Sequence, residues 1–278
     1  MSLIHNIVPK RALDISRLNS FVSKIGNTAF EDRGGGTYYY WIKGKSTRGL
    51  DLTIEENLIE VRNTVLSNRY DYELTNKIVE QILKLTDGII LDEENEQVEA
   101  LPLFNNDKIT EIELQDCEII KTLSQEHDGI AIYGPTRTVH FGKRLYAQFN
   151  SYSGKQLRDK MFDIILNVNY KLPNFEYGSI MEVGNTEEEK KIMIVLTNKT
   201  DSILDKYDYI IFNTNNDRLI MITNEILNSI LPSNWALVDE FTIVAPIIDE
   251  VQWENLIENA KKFDLYDQYI NKNKNANI

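Results

Sequence analysis

The sequence predicts an α+β protein: antiparallel sheets with helices packed on one face, organised as two sub-domains. Three observations carry that expectation. Apolar and polar residues alternate in short runs such as Leu50, Leu52 and Ile54, the period of a half-buried strand. Longer segments carry apolar stripes at helical spacing, of which Leu74, Ile78, Ile82 and Leu85 form the clearest. Strands, a capped helix and a strand follow one another over residues 38–91, and a hairpin, a capped helix and a strand over residues 208–245. No residue-level repeat links the two stretches, so the likeness is one of element order.

Taken in order, Ile15, Leu18, Phe21, Val22 and Ile25 have helical spacing, and Gly26 is a natural C-cap. "EDRGGG" reads as a flexible connection into "TYYYWIKG", which is rich in β-formers. Glu56-Asn57 turns the strand around Leu52 back into residues 58–66, giving a meander of three strands. Asp71 can cap the helix of the Leu74 stripe, and Gly88 can end it. Ile89–Leu91 reads as a short strand, followed by the solvated acidic connection "DEENEQVE". Ile109, Ile112, Ile119, Ile120 and Leu123 predict a helix over about residues 109–125.

"GIAIYGPTRTVHFG" reads as two short strands hinged at Gly134-Pro135, and Leu157, Met161, Ile164, Ile165 and Val168 stripe the next helix. "NYKLPNFEYGS" punctuates the chain. Domains are therefore expected at residues 1–172 and 173–270, with a disordered tail at 271–278 that has nothing to bury. "KKIMIVLT" and "DYIIFNT" are compact buried strands, and "LIMIT" returns as a hairpin partner after the turn "NTNNDR". Thr223 or Asn224 caps a short helix stopped by Pro232, and "WALVDEFTIVAP" reads as a strand. Asp249 with Gln252 makes a capping box for a last helix striped by Trp253, Leu256, Ile257, Ala260 and Phe263.

Charge narrows the function. Against 30 basic residues stand 43 acidic ones, a formal net charge of -13. Such a surface repels phosphate backbones and anionic lipid, so neither nucleic acid nor membrane is an expected partner, whereas a basic protein is steered toward it. The 42% of hydrophobic residues can bury a substantial core. No apolar run approaches the ~18 residues of a membrane span, and "MSLIHNIVPKR" has no signal-peptide core, so a cytoplasmic location is expected. Cys117 is the single cysteine, which rules out an internal disulfide framework. His127, ten residues later, lies at the polar exit of the same helix and makes no nucleophile pair with it.

The motifs assign no catalytic, cofactor-binding or metal-binding residue. In "RGGGTYYYWI" the glycines precede a strand, not a helix, and "GKSTRG" lacks the earlier glycine of a phosphate loop. Paired carboxylates abound, but none stands isolated in an apolar frame. Two clusters remain as candidates. Tyr38 and Tyr40 share one strand face, Tyr39 and Trp41 the other; the face that is not core is either covered or an aromatic protein-binding surface. Arg137, His140, Lys143 and Arg144 form a cationic cluster in "GPTRTVHFGKR". They build an anion or acidic-ligand pocket, or they pair with nearby carboxylates.

The blocks "TYYYWIKGKSTRGLDL", "GPTRTVHFGKRL" and "LVDEFTIVAP…VQWENLIENAKKF" resemble an uncharacterised family of bacterial proteins of unknown function. Some such acidic α+β proteins resemble the immunity proteins found beside contact-dependent toxins. The resemblance transfers no functional residue. The leading expectation is a non-enzymatic cytoplasmic protein-binding module, in its sharpest form an immunity-type inhibitor of a basic toxin. The alternatives are an enzyme or small-anion binder using Arg137, His140 and Arg144, and a structural subunit of a homo-oligomer.

Overall fold

A computed structural model describes residues 2–91, 96–98, 101–127, 129–184, 186, 190–214 and 218–269. Parts of the "DEENEQVE" connection and the "NTNNDR" turn, and the tail at 271–278, lie outside the described residues. The fold is α+β, and the chain divides into two compact units, Met1–Lys171 and Leu172–Ile278.

The first unit opens with β1 (Leu3–Val8) and α1 (Ile15–Val22), then a run of strands: β2 (Thr28–Gly34), β3 (Thr37–Ile42), β4 (Leu50–Ile54) and β5 (Ile59–Asn63). Next come α2 (Arg69–Thr86), β6 (Ile89–Leu91) and α3 (Asn106–Glu126). A two-stranded hairpin of β7 (Ile130–Tyr133) and β8 (Thr138–Phe141) precedes α4 (Lys143–Phe149) and α5 (Gly154–Tyr170). Six strands pair in the order β2-β3-β4-β5-β1-β6, all antiparallel. Ile7, Tyr40, Leu52 and Val61 from the sheet meet Leu74, Ile78 and Ile82 from α2 in one core.

Several elements differ from the sequence reading, each for a physical reason. Strand β1 lies inside the sheet, yet its inward positions include His5, which packs edge-on against Phe104 at 5.3 Å. A polar residue at a core position breaks the alternation that would have betrayed the strand. Glu31, Asp32 and Arg33, read as a flexible connection, belong to β2, an edge strand whose outer residues stay in solvent. Only the glycines turn, with φ of 79°, 60° and 82° at Gly34, Gly35 and Gly36. The N-cap of α2 is Asn68, and Asp71 occupies the third helical position of a capping box. The helix ends on Asp87 in the left-handed region at φ 50°, one residue before Gly88.

The second unit contains β9 (Glu176–Tyr177), β10 (Ser179–Val183), β11 (Lys191–Leu196), β12 (Ser202–Leu204), β13 (Tyr209–Asn213) and β14 (Leu219–Thr223). After these come α6 (Asn224–Ser229), β15 (Ala236–Leu237), β16 (Ile243–Ala245) and α7 (Glu250–Lys261). One sheet runs β10-β11-β13-β14 and the other β15-β16-β12-β9. Here the pairing is mixed: β11 with β13 and β12 with β9 are parallel. A parallel pair needs a crossover, and the segment carrying β12 supplies it. "WALVDEFTIVAP" is a hairpin, not one strand, because the Asp239 carboxylate accepts from the amides of Phe241 (3.0 Å) and Thr242 (2.7 Å) and folds the middle into a turn. Asp249 caps α7 by accepting from Gln252 N at 2.8 Å. Among the described residues no helix is long and apolar enough to cross a membrane.

Candidate functional site

Two of the four candidate aromatics are spent inside the fold. The Tyr40 hydroxyl donates to Asn19 Oδ1 at 2.7 Å, and the Tyr39 hydroxyl donates to the Arg48 carbonyl. Both rings are buried, and burial pushes both phenols above their usual range. Tyr39 stacks on Trp41 at 5.2 Å, under the Arg33 guanidinium at 3.9 Å. Tyr38 and Trp41 remain half-buried. At Tyr39 the second face of the strand is thus covered.

The cationic residues are spread over three local structures: Arg137 in the turn before β8, His140 within that strand, Lys143 and Arg144 in the first turn of α4. Asn169 of α5 anchors the turn, its Oδ1 accepting from Thr136 N at 2.9 Å and Arg137 N at 3.0 Å. Gly134 is needed because a Cβ there would lie 2.2 Å from Asn169 Nδ2. Val139 and Phe141 face the core, so His140 points to the opposite side of β8, where it too is buried. His140, Lys143 and Arg144 are each engaged within the protein, while Arg137 Nη1 is buried without a hydrogen-bond acceptor.

The densest polar chemistry lies where the sequence suggested a failed phosphate loop. Residues 46–49 of "GKSTRG" do present amides to an anion, and the anion is the protein's own Asp71. This carboxylate is fully buried and accepts from Arg48 N (3.1 Å), Gly49 N (2.9 Å) and Asn68 N (2.9 Å). The Thr47 hydroxyl lies 2.6 Å from the Leu66 carbonyl and 3.1 Å from Asp71 Oδ2; its one proton favours the shorter contact. Gly49 sits at φ +65°, and a Cβ there would come within 2.5 Å of the Tyr40 carbonyl oxygen. From α3, Asp116 accepts from Leu66 N (2.9 Å), and Glu113 accepts from Arg69 N (2.6 Å) and Arg158 Nη1 (3.2 Å). Tyr170 closes the cluster by donating to the Ser46 carbonyl at 2.9 Å.

Burial pushes Asp71, Asp116 and Glu113 above the usual carboxylate range. At Asp71 the Ser46 hydroxyl and the three amides pull the other way. Desolvation likewise lowers Arg48. With their oxygens held by the amides, these carboxylates anchor a loop and two helices. Cys117 beside them is buried, and its thiol is pushed up. Among the described residues, no group of three or more His, Cys, Asp or Glu side chains could hold a metal.

The sheet edges show where a partner could attach, because an edge strand leaves half its backbone groups unpaired. Strand β2 guards its edge with Glu31, Asp32 and Arg33. Strand β6 is covered by residues 97–98, Val98 N donating to the Ile90 carbonyl at 3.0 Å. Strand β14 is covered by the segment after α7: Leu265 N donates to the Met221 carbonyl at 2.8 Å, and Asp264 accepts from Met221 N at 3.1 Å. Strand β10 differs from all three. Its five residues are exposed, including Ile180 at 55%, Met181 at 41% and Val183 at 37%, and Tyr177 just before it is 49% exposed. Among the described residues, no strand pairs with its outer side. The sequence reading passed over this stretch because Pro173, Asn174 and Gly178 read as punctuation; the β-forming run "SIMEV" was the available signal.

The family described as Domain of unknown function (DUF4299) matches residues 9–229. The chain belongs to this family. The DUF4299 span includes the Asp71 cluster, the cationic turn and β10; it closes at the last residue of α6, leaving β15, β16 and α7 outside. That membership agrees with the resemblance to an uncharacterised family and carries nothing toward an immunity protein. No curated protein and no solved structure matches the chain.

Proposed function

We propose that this DUF4299 chain is a non-enzymatic, cytoplasmic protein-binding module with a basic protein as partner, an immunity-type inhibitor of a cationic toxin being its sharpest form. The observation that supports the reading is the stretch around β10. There Tyr177, Ile180, Met181 and Val183 are exposed beside Glu176 and Glu182, on a chain of net charge -13. Clustered apolar side chains favour burial against another protein, and the surrounding negative field selects a cationic one. A photo-crosslinking residue at position 180, with position 133 as the control, tests this in the cells that make the protein. Tyr133 is 70% exposed and lies in the other unit. One discrete protein rich in Lys and Arg should cross-link from position 180 and not from 133, with a yield that falls as salt rises. An acidic adduct, or none, refutes the reading.

Arg137 favours a second reading, a small-anion site, because its Nη1 is buried and lacks an acceptor. Calorimetric titration with phosphate and with citrate decides it, since a site of this kind must give saturable heat that Arg137→Gln abolishes.

A further inference from the structure

We propose that β10 receives an extended segment of the basic partner as a fifth strand of the sheet β10-β11-β13-β14; the proposal rests on the protein-binding reading above. The register makes the case. Ile180 pairs with Ile194, Ile194 with Ile210 and Ile210 with Ile222, so one row of isoleucines crosses the sheet. Ile194, Ile210 and Ile222 are at most 1% exposed, while Ile180, at the end of the row, is 55% exposed. Both faces of this sheet are covered. One packs Phe212, Ile220, Leu256 and Ile257; the other packs Met193, Ile211 and Met221 against Leu265, Tyr266 and Tyr269. Met181 lies across from Met193 on that second face. An added strand therefore finds apolar neighbours on both sides of the sheet, and every second residue of β10 already turns its N–H and C=O toward it.

Charge selects the occupant. Glu176 stands just before β10, and Glu182, its fourth residue, pairs with Lys190 at 3.4 Å, so the selection rests on Glu176 and on the chain's net charge of -13. A second copy of this chain would bring another -13 to the edge, whereas lysines or arginines flanking an apolar strand complement it.

The test uses the 15N-labelled full chain and, as probe, an end-capped eight-residue peptide alternating lysine and valine. A peptide of the same sequence with alternate backbone nitrogens methylated serves as control. On adding the probe, amide exchange should slow by about tenfold or more at every second residue of 179–183, and the methylated peptide should have no such effect. Ile180→Lys should weaken probe binding on the order of tenfold while leaving the melting temperature unchanged, because the side chain lies in solvent. Absence of probe binding, binding without protection in β10, or equal action of the methylated peptide overturns the strand mechanism. Protection of β10 already present in a dimeric free chain overturns it in favour of a second copy. A basic protein cross-linked from position 180 together with unprotected β10 amides removes this mechanism and leaves the protein-binding reading standing; no basic adduct removes both.

Discussion

Replacing Asp71 with alanine tests whether an internal carboxylate holds the first unit's loop in place. The substitution leaves the amides of Arg48, Gly49 and Asn68 without their acceptor in a site closed to solvent. Each buried donor left unsatisfied costs about 1–3 kcal/mol. Against this stands the relief of no longer burying a charge, worth several kcal/mol, and the entry of water into the vacated space. The net loss expected is about 3 kcal/mol, or a fall in Tm of about 6–12 °C for a domain of this size. Asp71→Asn keeps one carbonyl oxygen; placed at the Oδ2 position it still serves Arg48 N and Asn68 N, so it should lose about half as much. The assay is urea unfolding of the full chain read by hydrogen exchange over α2, which reports the first unit separately. A loss below about 1 kcal/mol for alanine, or equal losses for the two variants, would show that these hydrogen bonds do not hold the loop.

Stability should also fall as pH rises. Burial raises Asp51, Asp71, Glu113 and Asp116, so their contribution is fully present below the ordinary carboxylate value of about 4 and is lost as pH climbs through each raised value. The urea midpoint should therefore be lower at pH 8 than near pH 4, and a midpoint that rises over that interval contradicts the assignment. Gly49→Ala should cost at least about 3 kcal/mol and Gly35→Ala about 1 kcal/mol. Both have positive φ, but only at Gly49 does a Cβ meet backbone, and equal costs in urea titrations would dismiss the close approach. Ellman's reagent should modify Cys117 about a hundredfold more slowly in the folded chain than in urea, since the thiol is buried and pushed up; comparable rates would place it at the surface.

What the sequence made legible follows from which physics is local. The stripe Leu74, Ile78, Ile82 and the meander through Leu50 and Leu52 depend on periodicity alone, and both stand in the structure. Strand β1 did not announce itself, because His5 takes a core position through a contact with Phe104 that is remote in sequence. The Asp71 cluster was half legible. "GKSTRG" reads as an anion-type loop that lacks the earlier glycine of a phosphate loop, while its anion comes from a helix some twenty residues on. Tyr39 and Tyr40 could not be told from surface anchors, since their fate depends on Arg48 and Asn19 arriving as acceptors. Strand β10 was hidden by Pro173 and the glycines around it, and its exposure reflects the fact that β14 and β6 have backbone covers and, among the described residues, it does not.

A bare apolar edge is ordinarily an aggregation hazard, which raises the question of what keeps β10 from pairing with itself. The charge that would draw a basic partner also answers this. Two copies approaching edge to edge each bring -13. That repulsion reaches about 10 Å at 0.1 M salt and only about 3 Å at 1 M. Salt should therefore move the two kinds of contact in opposite directions, weakening the cationic partner and strengthening self-association. Sedimentation equilibrium should show a mass-average rising with salt for the native chain and staying flat for Ile180→Lys, which removes the exposed apolar side chain and places a cation within the strand. Association indifferent to salt, or persisting in that variant, would mean that the edge is guarded by something other than charge, and the same negative field could then no longer be held to choose the partner.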